Sequence, residues 1–531
     1  MNAILPQRVR ARALGLVTAG VFVIGLSALP TSGTAAQTAP SFAAGYVSTS
    51  LAGGEPFVIY SHGTGNLVYS SHEGTTHFYR GGAADPSGDC DIRSTPPTGF
   101  LCSYNNQVNV WYSTNHGQTW SLSLKNPLAT GFSDPSLTED EANNIYNVGI
   151  DLGNDGVFAS SDGGKNFLAG TPQCHDGDRP WLAGGKPNQF FMSTDTVEGP
   201  GNGHEVFQGQ ISSPLTITCS TNGIVDNGSY TNSRFPATTS YSGFGQIYYD
   251  HLDGSLIEPA DFFDSNGNVN GVGISVLTNA SSFTGSFAPS EGVASPDGQL
   301  AHWPAIAFDS ANTIYVVWDT QPRDTNPLDP QNGCSTLLPN AIGGPSLLPN
   351  SIMLAYTTDK GATWHGPYTV AHPGTTVLWP WITAGSAGNI SVTWYQSNQL
   401  TDPDCDSASL VAGGQPTQWT VQVANIFGAP QALGHPAQAV NAVPPDALHP
   451  NGVIHVGGIC QGGTTCVVTG QDRRLGDYFT NALDGSGCVM LSTGDTQMVD
   501  PSTGGQLSTS RPLFLDQTGG RSLTTGKSCT S

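Results

Sequence analysis

The feature that most constrains this chain is a recurring pair of short strands, the first of which opens at or beside a proline. The clearest copy is Pro304-Ala305-Ile306-Ala307-Phe308-Asp309, followed by a turn and an aromatic-rich strand over 313–318. A second is Pro380-Trp381-Ile382-Thr383-Ala384, followed by a strand over 389–394. Earlier copies start at Pro56, Pro135 and Pro180, and weaker ones near Phe244 and Gly476. Proline is tolerated at the first residue of an inner strand because no ladder donor is lost there. Each unit makes a sheet too small to bury both its faces. Stacking such sheets around an axis buries the faces against one another and leaves only short edges. The pattern predicts an all-β chain forming a single β-propeller of about seven four-stranded blades, with six as the alternative. The interval of about 70 residues exceeds that of compact blades, which run to roughly 40–50. Loop insertions such as 324–349 account for the excess.

The ends and the composition bound the setting. Arg8, Arg10 and Arg12 precede an apolar run over 13–29, and small residues follow through Ala35 and Ala36. This is the form of a secretory signal cleaved near Ala36. The expected organisation is therefore a signal over 1–36 and one propeller domain over 37–531, secreted and extracellular. No later stretch is apolar for long enough to span a membrane, so no membrane association is expected after cleavage. The formal net charge of −23 arises from 17 Lys and Arg against 40 Asp and Glu. That balance argues against nucleic acid or an anionic membrane surface as a partner. The ten cysteines show no zinc spacing, and in an exported chain they read as disulfides. Cys90 with Cys102 and Cys460 with Cys466 are close enough to staple single loops.

A second motif sharpens the architecture. Ser113-Thr114-Asn115-His116-Gly117-Gln118-Thr119-Trp120, Ser160-Ser161-Asp162-Gly163-Gly164-Lys165-Asn166-Phe167 and Thr357-Thr358-Asp359-Lys360-Gly361-Ala362-Thr363-Trp364 share one pattern. Asp or Asn accepts backbone hydrogen bonds, Gly takes a conformation other residues resist, and the aromatic packs inward. On these segments the chain resembles the sialidase-like Asp-box, or BNR-repeat, propellers. The resemblance implies boxes between the third and fourth strands of a blade, away from the active site. It also implies a sialidase-like glycosidase acting on extracellular carbohydrate. Sialidases use three arginines, a tyrosine nucleophile paired with a glutamate, and an aspartate acid/base. Here the first strand opens Glu55-Pro56 in place of their Arg-Ile-Pro, and no glutamate can be paired with Tyr478.

In such a propeller the residues just before the inner strands ring one mouth of the central funnel. Those positions give Glu55, Asp134, Asp178 with Arg179, His302 with Trp303, Trp379, and Asp477 with Tyr478. Carboxylates for proton transfer and rings for stacking are what a carbohydrate site needs. Asp178, Asp134, Asp477 and Tyr478 form the candidate catalytic set. Arg179, His302, Trp303, Trp379 and Glu55 form the candidate substrate-binding set. Each polar residue can equally serve to tie loops together. Trp181, Trp381 and Trp394 read as blade-to-blade core.

No cofactor and no catalytic metal are expected. The only hints of a structural Ca²⁺ are Asp264, Asn266 and Asn268, and Asp176 with Asp178. Val269 stands where a calcium loop has Gly, and the closing Glu is absent, so the Asp264 segment reads as a turn. The leading expectation is a secreted, monomeric glycoside hydrolase. A polysaccharide lyase using Arg179 with Tyr478 or His302, and a non-catalytic glycan- or protein-binding propeller, are the alternatives.

Overall fold

The computed structural model describes residues 39–530, apart from 73, 75–107, 126–130, 132, 152–153, 197–202, 213–215, 231–233, 236, 299–303, 321–347, 405–413, 435–436, 464–465, 467–470 and 503. Seven antiparallel sheets follow one another along the chain. The first blade runs Gly54–Tyr60, Leu67–His72, Val108–Ser113 and Ser121–Leu122 from axis to rim. The inner strands of blades two and three are Ser133–Glu139 and Asp178–Gly184. Blade four has an interrupted inner strand, Thr238–Gly243 and Tyr248–Asp250, both paired with Ser255–Asp264. Blades five, six and seven begin with Ala305–Phe308, Val377–Ala384 and Thr480–Leu483. All seven strand starts read from the sequence thus lie at or close to inner strands, and seven is the blade number.

The ring closes with strands from both ends of the chain. Ser41–Tyr46 pairs antiparallel with Arg511–Gly519 and supplies the outer strand of blade seven. Blade seven then packs on blade one, where the Tyr69 hydroxyl donates to the Thr493 carbonyl at 3.3 Å. The segment SFAAGY carries no clean alternation of apolar and polar residues, so its role is not readable from its pattern.

The three box segments form the same turn. In the first, Ser113 Oγ donates to Asn115 Oδ1 at 2.9 Å, and Asn115 Oδ1 accepts the Thr119 N–H at 3.0 Å. Asp162 and Asp359 do the same for the N–H groups of Asn166 and Thr363. Each turn joins the third and fourth strands of its blade, at the face opposite to the one where the inner strands begin. The Asp264 segment is also a turn, closed by N–H groups of Asn266 and Asn268 on Asp264 Oδ1.

Two tryptophans sit differently from expectation. Trp181 and Trp381 belong to blades three and six, which are not neighbours, yet their rings are 5.5 Å apart. Tyr478 of the approach to blade seven lies 4.9 Å from Trp181, and Phe57 of blade one meets Trp381 edge-on at 6.1 Å. Side chains from four blades thus converge and close the axis at this level, each ring nearly fully buried. At the far ends of the inner strands Ile59, Leu137, Glu139, Thr383 and Leu483 line a cavity of about 830 Å³.

Candidate functional site

One backbone irregularity recurs at the mouth where the inner strands begin. Glu55, Asp134, Arg179 and Trp379 each precede a proline and each have positive φ, at 48°, 53°, 59° and 54°. A residue before proline favours the extended region, and left-handed backbone without glycine costs on the order of 1–3 kcal/mol. Each occurs at a register shift, between Gly54 and Phe57, Ser133 and Ser136, Asp178 and Trp181, and Leu378 and Trp381. These are β-bulges, which turn a side chain off the regular strand direction. Three of the N–H groups are held by the preceding part of the ring. Glu55 N–H donates to the Leu475 carbonyl at 3.3 Å, Asp134 N–H to Glu55 Oε2 at 3.2 Å, and Trp379 N–H to Asp319 Oδ2 at 2.9 Å.

The bulges bring carboxyl groups together. Glu55 is fully buried, with Oε2 2.7 Å from His72 Nε2 and Oε1 3.6 Å from Arg473 Nη2. Burial and the Asp477 charge push its carboxyl up to about 7, against the pull of Arg473. Asp134, which takes a short hydrogen bond from Ser133, is pushed well up by burial and then by Glu55 and Asp178. Asp155 is wholly buried and is likewise pushed well up, by burial first and also by Asp134 and Asp178.

Asp178 is the exposed member of the group. Partial desolvation raises its pKa, the Asp195 and Asp477 charges add to that, and Arg179 opposes it. Asp477 is gripped by Arg473 through two hydrogen bonds of 2.7 Å each, the bidentate geometry of a strong ion pair. Arg179 is part-exposed and lies 3.9 Å from Asp195.

Tyr478 is buried beneath this group. Its hydroxyl donates to the Pro135 carbonyl at 2.6 Å, and burial with the Glu55, Asp134 and Asp477 charges pushes its pKa far up. In that setting the phenol is a neutral donor, not a phenolate. Trp379 shares the bulge position but not the site. Its ring is 4% exposed and packs against Tyr395 at 5.7 Å, within the core shared by blades six and seven. His302 and Trp303 lie outside the described residues.

The structure therefore places Glu55, Asp134 and Asp477 where each acts on Tyr478, with Asp178 acting on Asp134, Asp477 acting on Asp178, and Arg179 beside Asp178. It adds His72, Asp155 and Arg473, which the sequence reading passed over. Arg473 had a signal: in a chain with 11% charged residues, Asp472, Arg473, Arg474 and Asp477 form a dense knot. His72 was findable only through register, since it pairs with Gly54 across the first two strands of its blade. Asp155 lies on a third strand, where nothing in the sequence marks it. Among the described residues no group of three or more His, Cys, Asp or Glu is arranged to hold a metal ion.

No protein-family model matches this chain, and no curated protein matches it in sequence. Solved structures similar to it include the Dos1 propeller, at 9% identity and TM-score 0.42, covering 90% of this chain and 95% of that one. An α-L-arabinanase from Penicillium chrysogenum, complexed with arabinobiose, is 9% identical with TM-score 0.39, covering 90% and 97%. A variant of NanB sialidase from Streptococcus pneumoniae is 11% identical with TM-score 0.32, covering 91% and 69%. The seven-bladed architecture rests on this chain's own strand pairing and not on these likenesses.

Proposed function

We propose that the protein is a secreted glycoside hydrolase whose reaction takes place at the bulged mouth, with Asp178 as general acid and Asp477 as its charged counterpart. The observation that carries this reading is the contrast between the two carboxyls. Asp178 is solvent-accessible with its pKa raised, while Asp477 is engaged bidentately by Arg473. A proton-bearing carboxyl facing a carboxylate held by a guanidinium is the kind of pairing that glycosidic cleavage uses. Asp178 would pass its proton to the leaving-group oxygen as the C–O bond breaks. Asp477 would stabilise the oxocarbenium-like charge and orient water. Glu55 would hold the Asp134 N–H and with it the bulge at the mouth. Tyr478 serves as a positioning group under Asp134, since its hydroxyl is committed to the Pro135 carbonyl. That commitment also disfavours a lyase with Tyr478 as the proton carrier.

Disulfides Cys174–Cys219, Cys460–Cys466 and Cys488–Cys529 support export to an oxidising compartment. The three box turns favour kinship with Asp-box propellers and bear on architecture alone. The test is a panel of aryl glycosides and polysaccharides, run on wild type and Asp178→Asn with folding verified by circular dichroism. Turnover abolished in the variant is expected; no turnover by wild type on any substrate overturns the reading.

A further inference from the structure

The end of the axis away from the bulged mouth has a lining of its own. Its cavity of about 830 Å³ falls within the roughly 300–1,000 Å³ of small-ligand sites. Along the sixth inner strand Trp381 stands between the bulge at Trp379 and the cavity residue Thr383, so the aromatic layer divides the two ends. Ile59, Leu137 and Leu483, from the inner strands of blades one, two and seven, give the cavity an apolar strip. Its polar groups are fixed before any ligand arrives. His62 Nδ1 is 2.9 Å from Glu139 Oε2, and Ser61 Oγ donates to Glu139 Oε1 at 2.9 Å. Lys186 Nζ donates to Glu141 Oε1 at 2.9 Å, and His251 Nδ1 lies 3.1 Å from the same oxygen. Asp484 Oδ1 accepts the Ser486 and Cys488 N–H groups at 2.8 Å each.

These carboxyls are ionised. Burial acts against charge on Glu139, but the hydrogen bonds from His62 and Ser61 hold its carboxyl below the ordinary range. Hydrogen bonds from Lys186 and His251 do the same for Glu141. A carboxylate has about four lone-pair sites, so each still offers acceptors to a ligand. The two imidazoles, with Nδ1 committed, keep Nε2 for a ligand, and their side chains are 80% and 52% exposed. Fixed acceptors around an apolar strip suit a molecule with many hydroxyl donors on a ring that has apolar C–H faces. A ligand carboxylate would instead meet Glu139, Glu141 and Asp484 and be repelled.

We propose that this cavity is a second carbohydrate site, which binds neutral oligosaccharides on the face opposite the mouth. It goes beyond the hydrolase reading and does not rest on it. A glycan held there would tether the protein while the mouth stays free.

Calorimetry tests the proposal. Cellotetraose, xylotetraose, arabinotetraose and trigalacturonate are titrated into the full chain carrying Asp178→Asn, and into the same chain with Thr383→Arg or His62→Ala added. Thr383 lines the cavity, so an arginine there fills it, and His62 is a surface side chain whose loss spares the fold. At least one neutral tetraose should bind, and its affinity should fall by about tenfold or more in Thr383→Arg. Three outcomes overturn the proposal: no neutral tetraose binds, trigalacturonate binds as tightly, or binding survives Thr383→Arg. Should circular dichroism show Thr383→Arg unfolded, His62→Ala decides, with undiminished binding overturning the proposal. Binding that depends on Thr383, without turnover of any substrate by the wild type, removes the hydrolase reading and leaves the second site. Turnover without such binding does the reverse.

Discussion

His204 stands between two carboxylates, with Nδ1 2.8 Å from Asp195 Oδ1 and Nε2 2.6 Å from Glu258 Oε1, in a side chain only 3% exposed. A neutral imidazole has one donor and one acceptor, and an acceptor nitrogen facing a carboxylate would be repelled. Both nitrogens must therefore carry protons. Burial opposes that charge, but Glu258 and Asp195 outweigh it and hold the pKa well above the ordinary value. The network ends in Asp226, whose carboxyl is pushed well up by burial and by Glu258, and which accepts from Ser275 Oγ at 2.5 Å. At its other end Asp195 faces Arg179, so the buried cluster anchors one rim of the site.

This network gives stability a definite pH dependence. A histidine with a raised folded-state pKa contributes stability that is complete below its unfolded value, near 6.5, and is lost as pH rises through the folded value. Raised carboxyls act in the same sense. Asp226, Asp134 and Glu55 each favour the fold while protonated, and that contribution falls as pH climbs from about 4 through their folded values, about 7 for Glu55. Thermal melts should show a lower Tm at about pH 8 than at about pH 5, with the slope reduced in His204→Gln. A Tm that rises over that interval would contradict the charge assignment.

Asp178→Asn separates chemistry from folding. The side chain is exposed and has no ion pair closer than 4 Å among the described residues, and its raised pKa means its charge costs stability, so the melting temperature should not fall. Loss of a general acid lowers kcat by about 10²–10⁴. In the wild type the alkaline limb of the kcat profile should report Asp178, because activity falls as pH rises through the pKa of the proton donor. Loss of that limb in the variant, measured on an activated leaving group that needs no proton, confirms the assignment. A variant that keeps the limb and full activity refutes it.

Much of the architecture was legible because proline marks where inner strands begin, and each such mark fell in a different blade. Blade four was the weakest reading for a physical reason. Its inner strand is split around 244–247, and Phe244 falls in the break. The sequence marks the positions that share the pre-proline bulge, as with Glu55, Asp134 and Arg179. Trp379 shows the limit of that reasoning, since the same backbone position can direct a ring into the core between blades. His72, Asp155 and Arg473 reach the site from a second strand, a third strand and an interblade connection. Only pairing register and chain path bring those three to the mouth, and neither is written in a local pattern.

Gly476 is where the site's geometry should be most sensitive to a single methyl group. Its φ is 76°, and an added Cβ would stand 2.3 Å from Glu55 Cγ. Gly476→Ala thus combines backbone strain with a collision against a fully buried carboxyl. The expected loss is about 1–3 kcal/mol in chemical denaturation. Displacing Glu55 also weakens the acceptor that holds the Asp134 N–H, so any activity should fall further than the stability loss explains. Gly45→Ala is the control. It has open space around the added atom and should cost little.

The closing strand provides the last test, of the ring itself. Ser41–Tyr46 covers the edge of Arg511–Gly519, buries Phe42 to 7% exposure, and ties Tyr46 Oη to Asp495 Oδ2 at 2.5 Å. Removing residues 39–46 would leave an unpaired edge and an open cavity in the core between blades six and seven. An exposed edge of this kind promotes association between chains. The truncated protein should lose about 3–5 kcal/mol, the usual cost of emptying a large aromatic site, and should sediment in part as higher oligomers. A synthetic peptide spanning 38–47, added in excess, should restore the sedimentation of the full chain and most of the lost Tm by mass action. A truncated chain as stable and as monodisperse as the full one would show that the seventh blade does not need its N-terminal strand.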